Sequence, residues 1–293
     1  MKEYETEKSG ADLLSGGEIK VSELIDVFRS AGIDNAGFEA KVLFGRFGGF
    51  SPNTMIFNSD KSSAPELFSA AQRRLGGEPL DYILGDSAFY RETYTVSPAV
   101  LIPRQDTEIL VDFAVNNIPE GGRFMDLCTG SGCIAISTLR NTKNTSAIAV
   151  DISPAAVEIA LENKGRYKAE LDGRLDIICA DALTFDIDEQ FDAILSNPPY
   201  IVENVYDSLQ KEVKREPKIA LIGGGEDGAD FYRAITSRYK NKLKPDGFIA
   251  YEIGYDQAAP LYELAEREGM SCRIIKDYSG NDRVAVLKFK SAN

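Results

Sequence analysis

The chain has 293 residues, no histidine and a formal net charge of −13. That length exceeds one small core and makes two domains the expectation. The absence of imidazole excludes histidine general bases, Ser-His-Asp triads and histidine-ligated metals, so no metal site is expected. The acidic balance disfavours non-specific nucleic-acid binding, which rests on Lys and Arg neutralising phosphates.

Residues 1–19 mix charges with Gly and Ser and hold no apolar core of a signal peptide, so they read as a flexible extension. From Val21 the apolar residues Val21, Leu24, Ile25 and Phe28 repeat at helical steps. Phe38, Val42 and Leu43 suggest a second helix. Ser63, Pro65 and Glu66 start a third, which Gly76-Gly77 stops. Residues 20–85 are thus expected to form a small helical domain, and Phe89, Tyr94, Val96, Val100 and Ile102 a β-hairpin linker over 86–104.

Strand and helix then alternate through 105–293. Strands are predicted at Arg123–Leu127, Ala147–Val150, Asp176–Cys179, Ala193–Leu195, Phe248–Ile253 and Val284–Phe289. Helices are predicted at Asp106–Asn117, Gly132–Asn141, Pro154–Tyr167, Asp230–Tyr239 and Ala258–Glu268. This is the pattern of an α/β fold with a mainly parallel sheet covered on both faces. The glycine-rich run Gly223–Gly228 looks like a mobile loop. No run is long and apolar enough to span a membrane. Cys128, Cys133, Cys179 and Cys272 form no Cys-x-x-Cys pair and read as reduced core residues of a cytoplasmic protein.

Asp126-Leu127-Cys128-Thr129-Gly130-Ser131-Gly132 closes the first strand of this sheet and opens a helix. Glycines let a ligand approach the backbone, and a helix N-terminus offers free N–H groups. Asp151 ends the next strand, where a carboxylate can bind ribose hydroxyls. Asp181-Ala182 follows the third strand, where an acceptor and an apolar contact can meet an adenine ring. Gly130-x-Gly132-x-x-Ala135 also satisfies the dinucleotide fingerprint, so these residues alone fit NAD and S-adenosylmethionine equally well.

Asn197-Pro198-Pro199-Tyr200 follows the fourth strand. Two prolines fix φ and make a stiff turn at a carboxyl strand end, where ligands of open α/β sheets bind. In that position the tetrapeptide resembles the signature of S-adenosylmethionine-dependent methyltransferases that act on planar amino groups: glutamine amides, adenine N6 and guanine N2. An amide lone pair is delocalised and weakly nucleophilic. The Asn197 side-chain oxygen and the Pro198 carbonyl offer two acceptors to a two-hydrogen NH₂ group, and Tyr200 offers a ring to stack on it.

Further stretches narrow the resemblance. Residues 77–85, Val100-Leu101-Ile102-Pro103-Arg104-Gln105-Asp106-Thr107-Glu108, Glu216-Pro217, Glu252-Ile253-Gly254 and residues 277–283 look like the HemK/PrmC family of protein-(glutamine-N5) methyltransferases. Gln105 departs from the family's usual second proline. The resemblance implies a Rossmann-like methyltransferase sheet with a helical N-terminal domain. It implies S-adenosyl-L-methionine as cofactor and, as protein partner, the Gly-Gly-Gln loop of class I peptide chain release factors. By position it places the cofactor on Asp126, Cys128, Thr129, Gly130, Ser131, Gly132, Asp151, Asp181, Ala182 and Asn197. It places the substrate glutamine on Asn197, Pro198, Pro199 and Tyr200, with Asn197, Pro198 and Tyr200 catalytic. A ribosomal-protein glutamine is the nearest alternative substrate, and a DNA or RNA amino group is disfavoured by the charge. Arg104 is expected to pair with a carboxylate, Glu108 to open a helix, Glu252 either to contact substrate or to serve a structural role at a strand end, and Lys211–Arg215 to form a solvated helix face or to touch the release factor or ribosomal RNA.

Overall fold

The computed structural model describes residues 17–49 and 61–290, so residues 1–16 of the expected extension lie outside it. The chain divides after Gly85 into two compact units.

In the first unit a two-residue strand, β1 (Ile19–Lys20), pairs antiparallel with β2 (Lys61–Ser62). Ile19 is buried, so the ordered unit begins inside the stretch expected to be flexible. Helices α1 (Val21–Ser30), α2 (Ala36–Phe47), α3 (Pro65–Leu75) and the short α4 (Leu80–Leu84) complete it. The apolar stripe of α1 packs as its spacing predicts, burying Leu24, Ile25 and Phe28. On α2 the buried face is Ala36, Ala40, Leu43 and Phe44, and Phe38 points outward at 66% exposure. The small alanines let helices approach closely, and the core face follows them instead of the large aromatic. Arg74, itself buried, forks onto both carboxylate oxygens of Glu39 on α2, a bidentate pair that satisfies charge inside the bundle.

The second unit opens with a hairpin, β3 (Asp86–Phe89) and β4 (Glu92–Thr95). Phe89 and Tyr94 are buried in this unit's core, so the hairpin expected as a linker belongs to the unit it precedes. After a 3₁₀ turn at Gln105–Thr107 come α5 (Glu108–Asn117), β5 (Arg123–Leu127), α6 (Cys133–Arg140), β6 (Ser146–Asp151) and α7 (Pro154–Arg166). Then follow α8 (Lys168–Leu171), β7 (Leu175–Cys179), β8 (Phe191–Ser196), α9 (Asp230–Tyr239), β9 (Leu243–Glu252) and α10 (Ala258–Arg267). The hairpin of β10 (Met270–Lys276) and β11 (Asp282–Phe289) closes the fold.

The seven-stranded sheet has the order β10-β11-β9-β8-β5-β6-β7. β7, β6, β5, β8 and β9 run parallel, while β11 inserts antiparallel between β9 and β10. β10 escapes the sequence pattern because it is an edge strand with only Met270 fully buried. Along β5 successive side chains feed opposite layers: Phe124 packs on one face and Met125 on the other. Both faces are covered, the arrangement a Rossmann-like α/β sheet requires. Chain order reverses direction across β5, which has β6 on one side and β8 on the other. Leu127 lies opposite Ser196 in register, and the Ser196 hydroxyl donates to the Leu127 carbonyl at 2.6 Å. The turns leaving β5 and β8 therefore start side by side at the switch point of the sheet, where such folds bind ligands.

Candidate active site

The turn after β5 is held by its own residues together with Asp151 of β6 and Asn163 of α7. Cys128, Gly130 and Gly132 have φ of 61°, 55° and 81°, and only glycine adopts such values without strain. A side chain at Gly132 would also press on Ile136 and Ala160, so the helix α6 packs against α7 through this glycine. Asp126, fully buried, accepts from the Thr129 hydroxyl at 2.6 Å and from the Ala135 N–H at 3.1 Å. Its other oxygen, Oδ1, is buried without a partner. Burial pushes the Asp126 carboxyl up to about 7, against the pull of those hydrogen bonds. Asp151 accepts from the Gly130 N–H at 2.8 Å and the Ser153 N–H at 2.9 Å, and burial raises its pKa as well. Asn163 of α7 ties the hairpin to the same turn, donating to the carbonyls of Thr95 and Ser131.

A cavity of about 200 Å³ opens at these strand ends. Cys128, Gly130, Asp151, Asp181, Ala182, Asn197 and Pro199, all anticipated from sequence, line it. Asp126, Thr129, Ser131, Gly132, Pro198 and Tyr200 do not; the first three are buried residues that shape the wall from behind. Asp181 accepts from the Leu183 N–H at 2.8 Å, which fixes its carboxylate at the rim. Ala99, Val100 and Leu101 form one side wall, and Pro217, Ile219 and Ala220 another. These walls are stapled by Glu216, which is buried, accepts from the Ile102 N–H at 3.0 Å and pairs with Arg104. The expected carboxylate partner of Arg104 is thus Glu216. Ile152, Leu183 and Phe231 also line the cavity and went unnoticed in the sequence, because an apolar residue beside a strand end carries no motif of its own.

Burial raises the thiols of Cys128 and Cys133, the latter to about 12, so both stay protonated and neither serves as a thiolate nucleophile. Cys179, expected in the core, is exposed. Among the described residues there is no cluster of three or more metal-ligating side chains and no helix long and apolar enough to cross a membrane.

The turn after β8 is held by residues from elsewhere. Asn197 Nδ2 donates to the Thr107 hydroxyl at 3.4 Å, and Thr107 in turn donates to Glu252 at the end of β9. The Tyr200 hydroxyl donates to the other Glu252 oxygen at 3.4 Å. Gln257 Nε2 donates to the Tyr200 carbonyl at 3.1 Å and to the Asp227 carbonyl at 2.9 Å. The segment 223–228, which looks mobile in sequence, packs directly behind this turn. Ile201 N–H donates to Leu221 and Gly223 N–H to Ile201, and Gly228 leaves no room for a Cβ beside the Tyr200 carbonyl. Gly223 and Gly228 serve close approach to this turn, not motion.

Tyr200 faces a second, more open cavity of about 440 Å³ lined by Arg104, Gln105, Asp106, Glu252 and Arg283. Arg283 pairs with Asp106 at 3.1 Å and with Asp277 at 3.3 Å. Asn197 and Pro199 border the first cavity and Tyr200 the second, so the Asn-Pro-Pro-Tyr turn is the partition between an apolar cavity and a charged one.

Two family models match the chain: the PrmC N-terminal domain over residues 21–85 and the Methyltransferase small domain over residues 105–226. The release factor glutamine methyltransferase of Geobacter sulfurreducens is 35% identical over 86% of this chain and 89% of its own. That of Clostridium acetobutylicum is 40% identical over 78% and 82%. Among solved structures, the hMettl16 catalytic domain in complex with a 3′UTR hairpin superposes with a TM-score of 0.55 at 14% identity, covering 80% of this chain and 86% of that one, which speaks to the fold alone.

Proposed function

The chain belongs to the release factor glutamine methyltransferase family, and from that premise we propose how its residues transfer a methyl group to the side-chain amide nitrogen, N5, of the glutamine in the Gly-Gly-Gln loop of a class I peptide chain release factor. The donor is S-adenosyl-L-methionine, in the cavity at the ends of β5, β6 and β7. The donor set there suits an adenosyl group carrying positive charge. Asp151 would take the ribose hydroxyls, Asp181 and Ala182 would meet the adenine, and the backbone turn at Cys128 and Gly130, held from behind by Thr129, Ser131 and Gly132, would meet the methionine part. Asp126 lies beneath that backbone with one carboxylate oxygen still unpartnered. Val100, Leu101 and Leu183 give this cavity aliphatic walls.

When bound, the cofactor supplies a methyl group on a sulfonium, which needs no further activation as an electrophile. The chain's task is aim. Asn197 Oδ1 and the Pro198 carbonyl accept the two amide hydrogens of the substrate, fixing the nitrogen and directing its lone pair at the methyl. Tyr200 and the rigid proline pair limit rotation of the flat group. Holding reacting atoms about 3–3.5 Å apart is worth roughly 7–11 kcal/mol in favourable cases. Burial keeps the Tyr200 hydroxyl protonated, so the proton lost from the product passes to water. The observation that carries this reading is the position of Asn197 in the wall of the cavity, just past the end of β8, the strand paired with β5, which leads into the glycine turn.

Methyl-labelled S-adenosylmethionine offered in parallel to purified release factor, ribosomes, RNA and DNA tests it. Label is expected in the release-factor peptide holding the Gly-Gly-Gln sequence, on the glutamine. Label confined to ribosomes or to nucleic acid contradicts the reading.

A further inference from the structure

An asparagine amide is nearly symmetrical in shape, yet its two ends are chemically opposite. If Asn197 is to accept a hydrogen from a substrate NH₂, its oxygen must face the cavity; turned over, it would point N–H at N–H. Proline stiffness fixes the backbone of the turn but not this side-chain choice. The hydrogen bonds around Asn197 do.

Resting on the assignment of Asn197 above, we propose that Thr107 and Glu252 are positioning residues that dictate which end of the Asn197 amide faces the substrate. Glu252 is 2% exposed and, as a carboxylate, can only accept. Thr107, equally buried, has one hydroxyl hydrogen and gives it to Glu252. What its oxygen then offers Asn197 is a lone pair. The amide must answer with Nδ2, as observed at 3.4 Å, which leaves Oδ1 for the cavity. The other Glu252 oxygen takes the only hydrogen of the Tyr200 hydroxyl at 3.4 Å, so one carboxylate orients both ends of the Asn-Pro-Pro-Tyr turn. Burial, with the Asp106 carboxylate beside it, raises the Glu252 carboxyl above its ordinary value, against the Thr107 hydroxyl, the Arg283 guanidinium and the Tyr200 hydroxyl, which favour the ionised form. The polarity of the chain thus runs one way, from Asn197 through Thr107 to Glu252.

Three variants of the full chain test this, each read by melting temperature, calorimetric affinity for S-adenosylmethionine, and kcat and KM toward release factor. Thr107→Val keeps the shape and removes the hydroxyl. It is expected to keep fold and cofactor affinity and to lose about 10²-fold in kcat with little change in KM, the scale of a misaimed reactant. Thr107→Ser restores the hydroxyl and is expected to recover most of kcat. Glu252→Leu removes the acceptor, leaves the Thr107 hydroxyl hydrogen free to be given to the Asn197 amide oxygen instead, and is expected to lower kcat in the same way. Wild-type kcat in Thr107→Val or in Glu252→Leu overturns the proposal, as does a Thr107→Ser variant as slow as Thr107→Val. If Thr107→Val does not fold, Glu252→Leu decides alone. Asn197→Ala, measured beside them, separates the two levels. Full turnover there removes the site assignment itself and the proposal with it, whereas an inactive Asn197→Ala with an unaffected Thr107→Val removes only the positioning chain.

Discussion

The turns that leave β5 and β8 start from residues paired in register, yet they are built on opposite plans. The turn after β5 is flexible by composition and fixed mostly at short range: positive-φ glycines, Thr129 and Asp126 hold it locally, Asp151 holds it from the end of the next strand, and Asn163 of α7 holds it from farther off. The turn after β8 is stiff by composition and fixed from outside, by Thr107, Gly228, Glu252 and Gln257, residues about 30–90 positions away. The first plan suits a cradle that must let a ligand lie against bare backbone. The second suits a shelf whose angle must be exact to a fraction of an ångström while its neighbour changes from substrate to product.

If the shelf is fixed from outside, changes in its supports should hurt catalysis without touching any reacting group. The largest effect is expected from Gly228→Ala. The new methyl would fall inside van der Waals contact with the Tyr200 carbonyl, a backbone group that cannot swing aside as a flexible side chain would, at a φ of 69° that favours glycine. A fall in kcat/KM of at least about 10²-fold is expected, and wild-type kinetics would show that the shelf tolerates displacement. Gln257→Ala comes next. Gln257 satisfies the carbonyls of Tyr200 and Asp227, the Gly254 N–H and the Tyr232 hydroxyl, all at or near burial. The Tyr232 hydroxyl keeps the Glu252 carbonyl, but leaving the two carbonyls and the Gly254 N–H without Gln257 is expected to cost about 2–4 kcal/mol of stability, read by denaturant unfolding, with kcat falling in parallel. A stability loss with unchanged kcat would mean that Gln257 supports the fold but not the aim.

The cradle should respond differently, through proton linkage. The folded-state pKa of Asp126 is raised to about 7 from an ordinary 3.8. Between those values the folded protein binds more protons than the unfolded chain, so this group makes stability fall as pH rises, and the loss is complete above about pH 7. Asp126→Asn removes that dependence. In the absence of cofactor its melting temperature, relative to the wild type, is expected to rise between pH 5 and pH 8. Parallel melting curves for the two proteins across that range would show that Asp126 does not titrate as its burial implies.

The same contrast explains what was legible in the sequence. Gly130, Gly132, Asp151, Asp181 and Asn197 were readable because each sits at a strand end and its meaning is local: a φ, a spacing, a turn. Asp230–Tyr239 and Arg123–Leu127 were readable for the same reason. Thr107 and Gln257 were not assigned roles because the bonds that give them meaning cross to other strands. The glycines of 223–228 carry the same letters whether they serve motion or close packing, and only the nearness of Tyr200 distinguishes the two. Phe38 helped mark the second helix, which is there, but its spacing does not say which face is buried, and the helix turns its alanines inward. The hairpin at 86–95 read as a linker because nothing in its own residues reveals that Asn163 and the core of the second unit claim it.

The division of labour between cradle and shelf is tested most directly by one measurement on Asn197→Ala: single-turnover methyl transfer to release factor, beside calorimetric binding of S-adenosylmethionine to the same preparation. Transfer slowed by about 10²-fold or more with cofactor affinity close to wild type is the expected result. Full-rate transfer, or a loss of rate that merely follows a loss of cofactor binding, would contradict the assignment of Asn197 as the residue that aims the amide.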